Sequence, residues 1–216
     1  AKETRDNLPE MLRAASLLIR SHGPAQFLIP LAPTLTAEQH EMARALVARH
    51  GPNLPVRLIA DRGAAGAVSP TAGGARATLF HARASIVASG TATVEAALIG
   101  NPFVVVYRVS PLTYAIAQRV VTVPHVAMAN LIAGRRVVPE LIQGDFTAAR
   151  IVQHLAPLLP EGKPRESMKK ELDRIRELLT SHPARGAPSA GAIDRVADIA
   201  LAKLGLASPV PETVSS

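Results

Sequence analysis

Residues 85–108 limit the possible folds of this chain more than any other stretch, because SIVASGTATVEAALIGNPFVVVYR reads as strand, polar turn, short helix and second buried strand. Ser85 to Ala88 is a short apolar, partly β-branched run, and Phe103 to Val106 is another. Between them, Thr91 to Ile99 sets alanines and one carboxylate at helical spacing. Two strands joined by a helix make a βαβ unit, in which the strands run parallel.

The turn Ser89-Gly90-Thr91 supplies a glycine that lets backbone approach a ligand, two hydroxyls, and the unpaired N–H groups of the next helix's first turn. That end of a helix favours an anion. Glu95 stands four residues after Thr91, so both side chains project from one helix face. An ionised carboxylate only accepts hydrogen bonds, so it suits neighbouring hydroxyls such as those of a ribose better than a phosphate. Phosphate at the turn and ribose at Glu95 together describe a nucleoside diphosphate. The same residues also suit a plain helix start, with a Ser-Gly-Thr cap and a carboxylate favoured by the helix dipole. Neither G-x-x-x-x-G-K-[ST] nor G-x-G-x-x-G occurs in the chain.

Elsewhere helix and strand patterns alternate. Leu8, Met11, Leu12, Ala15, Leu18 and Ile19 form an apolar stripe entered at Asp6 or Asn7, with Pro9 in the first turn. Gln26 to Leu31 reads as a buried strand, Thr36-Ala37-Glu38-Gln39 as a capping box opening a helix to about His50, and Val56 to Ala60 as the next strand. Residues 61–75 read as a loop, 75–82 as a helix, 111–121 as an apolar helix and 147–159 as another helix. Beyond the break at Pro160 to Pro164, Met168, Leu172, Ile175 and Leu179 mark a charged helix, and Ile193 to Leu204 a last one. At 216 residues and 48% apolar content the chain can bury a sizeable α/β core. The expected fold is a Rossmann-like parallel sheet with helices on both faces and a C-terminal helical extension. The expected domains are 1–160 for the nucleotide-binding body, 161–206 for C-terminal helices and 207–216 for a disordered tail.

From Ser89 to Gln143 the chain closely resembles the C-terminal half of lipid-A-disaccharide synthases. Four motifs in order carry the likeness: SGTATVE, the strand ending in Tyr107-Arg108, Asn130-Leu131-Ile132-Ala133-Gly134-Arg135, and Pro139-Glu140-Leu141-Ile142-Gln143. A weaker likeness extends it to about three-quarters of the chain, from Leu8-Pro9 through the helix opening near Thr147. That family is a GT-B glycosyltransferase, which moves a 2,3-diacylglucosamine from UDP onto a lipid X-type, glucosamine-1-phosphate acceptor in lipid A biosynthesis. The resemblance therefore implies one half of a GT-B fold, with the donor diphosphate at Ser89, Gly90 and Thr91 and the ribose at Glu95. It also implies that Tyr107, Arg108, Asn130 and Arg135 face the sugar-nucleotide cleft. The residue before Asn130 is usually proline in the family and is Ala129 here, which loosens one turn. The resemblance covers the family's donor half, so the general base is expected on an N-terminal, acceptor-binding domain and no catalytic residue on this chain. The expected partners are a UDP-sugar, a phosphorylated lipid acceptor, the inner membrane surface, and a second copy or a separate N-terminal-domain partner. The expected place is the cytoplasm, peripheral to the inner membrane.

Other chemistries find less support. There is no cysteine, so disulfides and thiolate metal sites are excluded. His22, His40, His50, His81, His125, His154 and His182 are never paired at ligand spacing on one helix, and no cofactor or metal is expected. Ser89 lies in Ala-Ser-Gly rather than a G-x-S-x-G elbow, which argues against a hydrolase. The net charge of +7 is dispersed, and 3% aromatic content leaves little to stack on bases, so nucleic acid is not an expected partner. An alternative from another class is a freestanding nucleotide-binding or assembly module without transferase activity by itself.

Overall fold

The computed structural model describes residues 2–60, 74–108, 125–180, 200, 201, 203 and 204. In chain order the elements are α1 (Lys2–His22), β1 (Phe27–Leu31), α2 (Ala37–His50), β2 (Val56–Ala60), α3 (Gly74–His81), β3 (Ser85–Ala88), α4 (Ala92–Ile99) and β4 (Phe103–Tyr107). Then follow α5 (Met128–Ala133), β5 (Glu140–Ile142), α6 (Ala148–Leu155) and α7 (Lys163–Thr180), with 3-10 turns at Gln143–Asp145 and Ala156–Leu158. The expected α/β architecture is present. The helix read at 111–121, the last helix from Ile193 and the tail lie outside the described residues, apart from one turn closed by Leu204 N–H on the Ala200 carbonyl.

Two elements differ from the sequence expectation. α1 starts before Asp6, and Pro9 lies inside it rather than in its first turn. Proline there removes one backbone bond, and α1 carries on past it. The helix from Thr147 is α-helical only to Leu155 and then tightens into a 3-10 turn containing Pro157. The capping box opening α2 forms as read: Gln39 N–H donates to Thr36 Oγ1 at 3.3 Å, and Thr36 N–H to Gln39 Oε1 at 3.0 Å.

All strands among the described residues run parallel, in two ladders: β1 with β2, and β3-β4-β5 in that order. Their spatial order follows from handedness. α1 packs on α2 and α6, and α6 packs on β3 and β4, while α3 packs on β1, β2 and α4 and so lies on the opposite face. Right-handed crossovers on one face advance the chain in one direction, and those on the other face reverse it. The step from β1 through α2 to β2 therefore runs one way, and α3 and α4 carry the chain back past β1 to β3 and β4. The reversal is a topological switch point, where open α/β sheets bind ligands beyond the carboxyl ends of their strands.

The core on the α1/α6 face joins Ala14 and Leu18 to Val104, Val106, Leu141, Phe146, Ile151 and Leu155. Alternation puts Phe103 and Val105, equally buried, on the α3/α4 face. Phe103 to Val106 are all at most 1% exposed, which explains why this strand is an unbroken apolar run rather than an alternating one. Residues 1–175 form one compact unit and 176–216 a second. In the first, α7 is latched by Arg165, 8% exposed, which donates to the carbonyls of Arg83 at 2.6 Å and Leu158 at 2.9 Å. Arg83 in turn donates to the Leu159 carbonyl and pairs with Glu161.

Candidate functional site

The turn after β3 sits at the switch point. Ser89 N–H continues the parallel ladder onto the Val106 carbonyl at 3.0 Å, and the chain then breaks away at Gly90, whose φ is +147°. Side chains rarely adopt that value, so the glycine is required by the backbone rather than by crowding. Thr93 closes the turn from within α4, donating to the Gly90 carbonyl from its N–H at 3.1 Å and its Oγ1 at 2.7 Å.

Thr91 occupies the N-cap position, yet its side chain makes no capping hydrogen bond and its backbone is already helical (φ −59°, ψ −27°). Helix capping therefore does not consume the Thr91 hydroxyl. Gly90, Thr91 and Glu95 are all exposed, and Thr93, Ala96 and Ala97 are buried. The turn's polar groups and the Glu95 carboxylate thus share a solvent-facing rim at the start of α4, where the Thr93 and Val94 N–H groups are already taken by the Gly90 and Thr91 carbonyls.

Ser89 Oγ donates to the Val126 carbonyl at 3.3 Å, joining the turn to the segment that starts α5. That segment is held by Glu140, a residue the site reading from sequence did not single out. Its carboxylate accepts from Val126 N–H at 3.1 Å, Ala127 N–H at 2.9 Å and Asn130 Nδ2 at 2.7 Å. Asn130 is fully buried. Its amide also donates to the Val138 carbonyl at 2.9 Å and accepts from Val137 and Val138 N–H at 2.8 and 2.9 Å. Both donors and both acceptor sites of an asparagine amide are then engaged, so Asn130 builds the wall beside the turn rather than reaching into the cleft.

Tyr107 ends β4, half-buried and in register with Ile142. Arg108 is turned to the α1/α6 side: its guanidinium lies 4.6 Å from the Phe146 ring centroid and donates to the carbonyls of Phe146 at 3.0 Å and Asp6 at 3.3 Å. Arg135 is exposed and paired with Glu171 of α7, which also holds Arg174. Of the eight residues singled out, Ser89, Gly90, Thr91 and Glu95 share one rim. Asn130 stands behind it through Val126, Tyr107 closes the neighbouring strand, and Arg108 and Arg135 are tied to other parts of the molecule. Gln143 is the only described non-glycine residue with positive φ, +50°, immediately beyond β5 on the same sheet edge. Such outliers concentrate where structure over-determines the backbone, often at sites.

Charge is unevenly set beyond that edge. Arg150, donating at 2.7 Å, holds the Asp145 carboxyl below its ordinary range, with help from Arg136 and His154. Burial lowers the His154 pKa, and the neighbouring Arg136 and Arg150 lower it further. No cluster of three or more potential metal ligands occurs among the described residues. An open depression of about 760 Å³ lies between the end of α1 and the turn after α6, lined mainly by His22, Val152, Gln153, Ala156 and Leu159. It belongs to the end of α1 remote from Asp6 and Arg108, so it is separate from the Ser89 rim. No described helix is long and apolar enough to cross a membrane.

Comparison with known proteins gives these residues a context. A family model described as Lipid-A-disaccharide synthetase matches residues 63–191. The lipid-A-disaccharide synthase of Acidobacterium capsulatum is 55% identical over 92% of this chain and 46% of its own length. Those of Koribacter versatilis and Anaeromyxobacter sp. (strain K) are 41% and 39% identical, over 83% and 86% of this chain and 42% and 44% of their own lengths. The chain thus spans a little under half the length of these relatives. With the family model covering more than half of its residues, the chain belongs to the lipid-A-disaccharide synthetase family.

Proposed function

We propose that this chain is the donor-binding half of a glycosyltransferase of lipid A biosynthesis, holding the UDP of a UDP-2,3-diacylglucosamine while the sugar passes to a phosphorylated glucosamine lipid. The observation that carries the reading is the Ser89-Gly90-Thr91 turn at the switch point, exposed at Gly90 and Thr91, with an uncapped Thr91 hydroxyl and the Glu95 carboxylate on one rim. In this reading the diphosphate lies against the turn and Glu95 accepts from the ribose hydroxyls.

In the transfer, the acceptor's hydroxyl oxygen bonds to the anomeric carbon as that carbon's bond to the UDP oxygen breaks, and UDP departs with the electron pair. Negative charge grows on the diphosphate, so the N–H groups of Gly90 and Thr91 and the Thr91 hydroxyl act most strongly in the transition state, while Ser89, bonded to the Val106 and Val126 carbonyls, holds the turn in place. Glu95 acts earlier, by fixing where the nucleotide lies. The hydroxyl's proton goes to a base outside this chain, so the chain alone binds UDP and transfers sugar slowly or not at all. Residues 1–160 form the binding body in this reading, 161–206 its helical extension and 207–216 a tail. The protein works at the cytoplasmic face of the inner membrane, alongside an acceptor-binding domain or a second copy.

Calorimetric titration with UDP tests the reading. We expect micromolar-range binding that Glu95→Ala weakens by about 1–3 kcal/mol, the range for a lost charged hydrogen bond. A folded chain whose UDP response is indifferent to Glu95→Ala and to any change at the turn would falsify it.

A further inference from the structure

The hydrogen bonds that fix α5 also turn an apolar face outward. The large apolar side chains exposed among the described residues are Phe80, Met128, Leu131, Leu178 and Leu204. Single exposed apolar residues are ordinary. Phe80 stands apart on α3, and Leu178 and Leu204 belong to residues 176–216, the second unit. Met128 and Leu131, 39% and 44% exposed, stand one turn apart on α5, so their side chains lie on one face. The helix is not free to roll and bury them. Asn130 points to the other side, buried with its amide fully engaged, and Ala129 is buried as well. Rolling α5 would break those bonds and leave Glu140, Val137 and Val138 without the partners they have now.

This face adjoins the Ser89 turn, and on a definite side of it. Ser89 Oγ donates to the Val126 carbonyl, two residues before Met128, and α5 packs beside α4. Glu95 lies on the other side of the turn, one turn into α4. With the ribose at Glu95 and the diphosphate at the turn, the sugar leaves the diphosphate on the Ser89 side, toward α5. This placement rests on the donor reading proposed above. From Val126 to Gly134 the segment carries no charged residue. The hydroxyls of a bare sugar gain little from such a surface, whereas hydrocarbon laid on it leaves water. Methionine, unbranched and polarizable, adapts to the contour of a flexible chain.

We infer that Met128 and Leu131 are specificity-determining residues for the donor, forming a shelf on which an acyl chain of the nucleotide-linked sugar lies. An acylated sugar buries apolar surface there that a plain UDP-sugar leaves in water, so hydrocarbon adds to the affinity that the diphosphate supplies. The shelf touches the sugar's substituents and not the reacting carbon. It therefore acts on which donor is held and how tightly, while Asn130 and Glu140 act through it by keeping α5 in this orientation.

The test compares binding of UDP, UDP-glucosamine and a short-chain UDP-2,3-diacylglucosamine, the last kept below the concentration at which it forms micelles. We expect the acylated donor to bind about tenfold or more tightly than UDP-glucosamine, as burial of a few methylene groups implies. The double variant Met128→Ser, Leu131→Ser should lose most of that advantage, about fivefold or more, while its UDP affinity and thermal midpoint stay close to wild type because both positions are exposed. Met128→Leu, which keeps the apolar surface, should retain the advantage. The inference is overturned if the acylated donor binds no more tightly than UDP-glucosamine, or if its advantage survives the double variant. UDP by itself reports on the donor reading separately. A chain that binds UDP but gains nothing from acyl chains keeps that reading and loses this inference; one that ignores UDP yet holds the acylated probe through Met128 and Leu131 does the reverse.

Discussion

Asn130 shows how a single amide can matter without touching a ligand. It is wholly buried with every hydrogen-bonding position engaged, so Asn130→Ala leaves Glu140, the Val137 and Val138 N–H groups and the Val138 carbonyl short of partners together. The expected cost is about 2–4 kcal/mol in denaturant unfolding, at the upper end for one buried polar group. Gly90 is the contrasting case. Nothing crowds an added Cβ there, yet φ is +147°, so Gly90→Val is expected to cost about 1–3 kcal/mol by strain and to weaken UDP binding by displacing the turn. Stability and calorimetry on the same variant separate the two effects. The turn and Glu95 were legible in the sequence because their chemistry is local: a glycine, hydroxyls and a carboxylate within one helical turn. Glu140 was not, because its partners are backbone N–H groups 13 and 14 positions away, which no spacing rule connects.

Among the elements, length decided what could be read. β1 to β4 and α2 have either an apolar run or a capping box and match their expected positions to within a residue or so. α5 and β5 have six and three residues, too few for a period to show, and both are specified by the Asn130 and Glu140 contacts rather than by pattern. The latch on α7 is similarly non-local, since Arg165 is an arginine in a charged helix until its carbonyl partners are known. Replacing it with a side chain of similar length but no donors, Arg165→Met, is expected to lower stability by about 2–4 kcal/mol, measured by thermal unfolding. Thr36→Ala on the exposed start of α2 should cost nearer 1 kcal/mol.

For the molecule as a whole, acid should act through groups beyond β5. Native His154 and Asp145 both hold their protons less tightly than their ordinary values of 6.5 and 3.8, so the unfolded chain binds more protons and acidification favours unfolding. The His154 share of stability falls away once the pH drops below 6.5. The Asp145 share is intact above 3.8 and is lost as the pH passes its native value. Thermal midpoints taken from neutral pH down to about pH 5 should decline, and His154→Gln should flatten that decline. The sheet's switch point could be read only in part from sequence, since alternating strands and helices announce a parallel sheet but not which face each helix takes. Tyr107, at the carboxyl end of β4, carries one more consequence. The chain has no tryptophan and two tyrosines, the second being Tyr114, so its ultraviolet emission comes from two phenols, one of them half-buried on the strand next to the Ser89 turn. A Tyr107→Phe variant would assign the signal, leaving wild-type fluorescence as a label-free reporter of events at that edge.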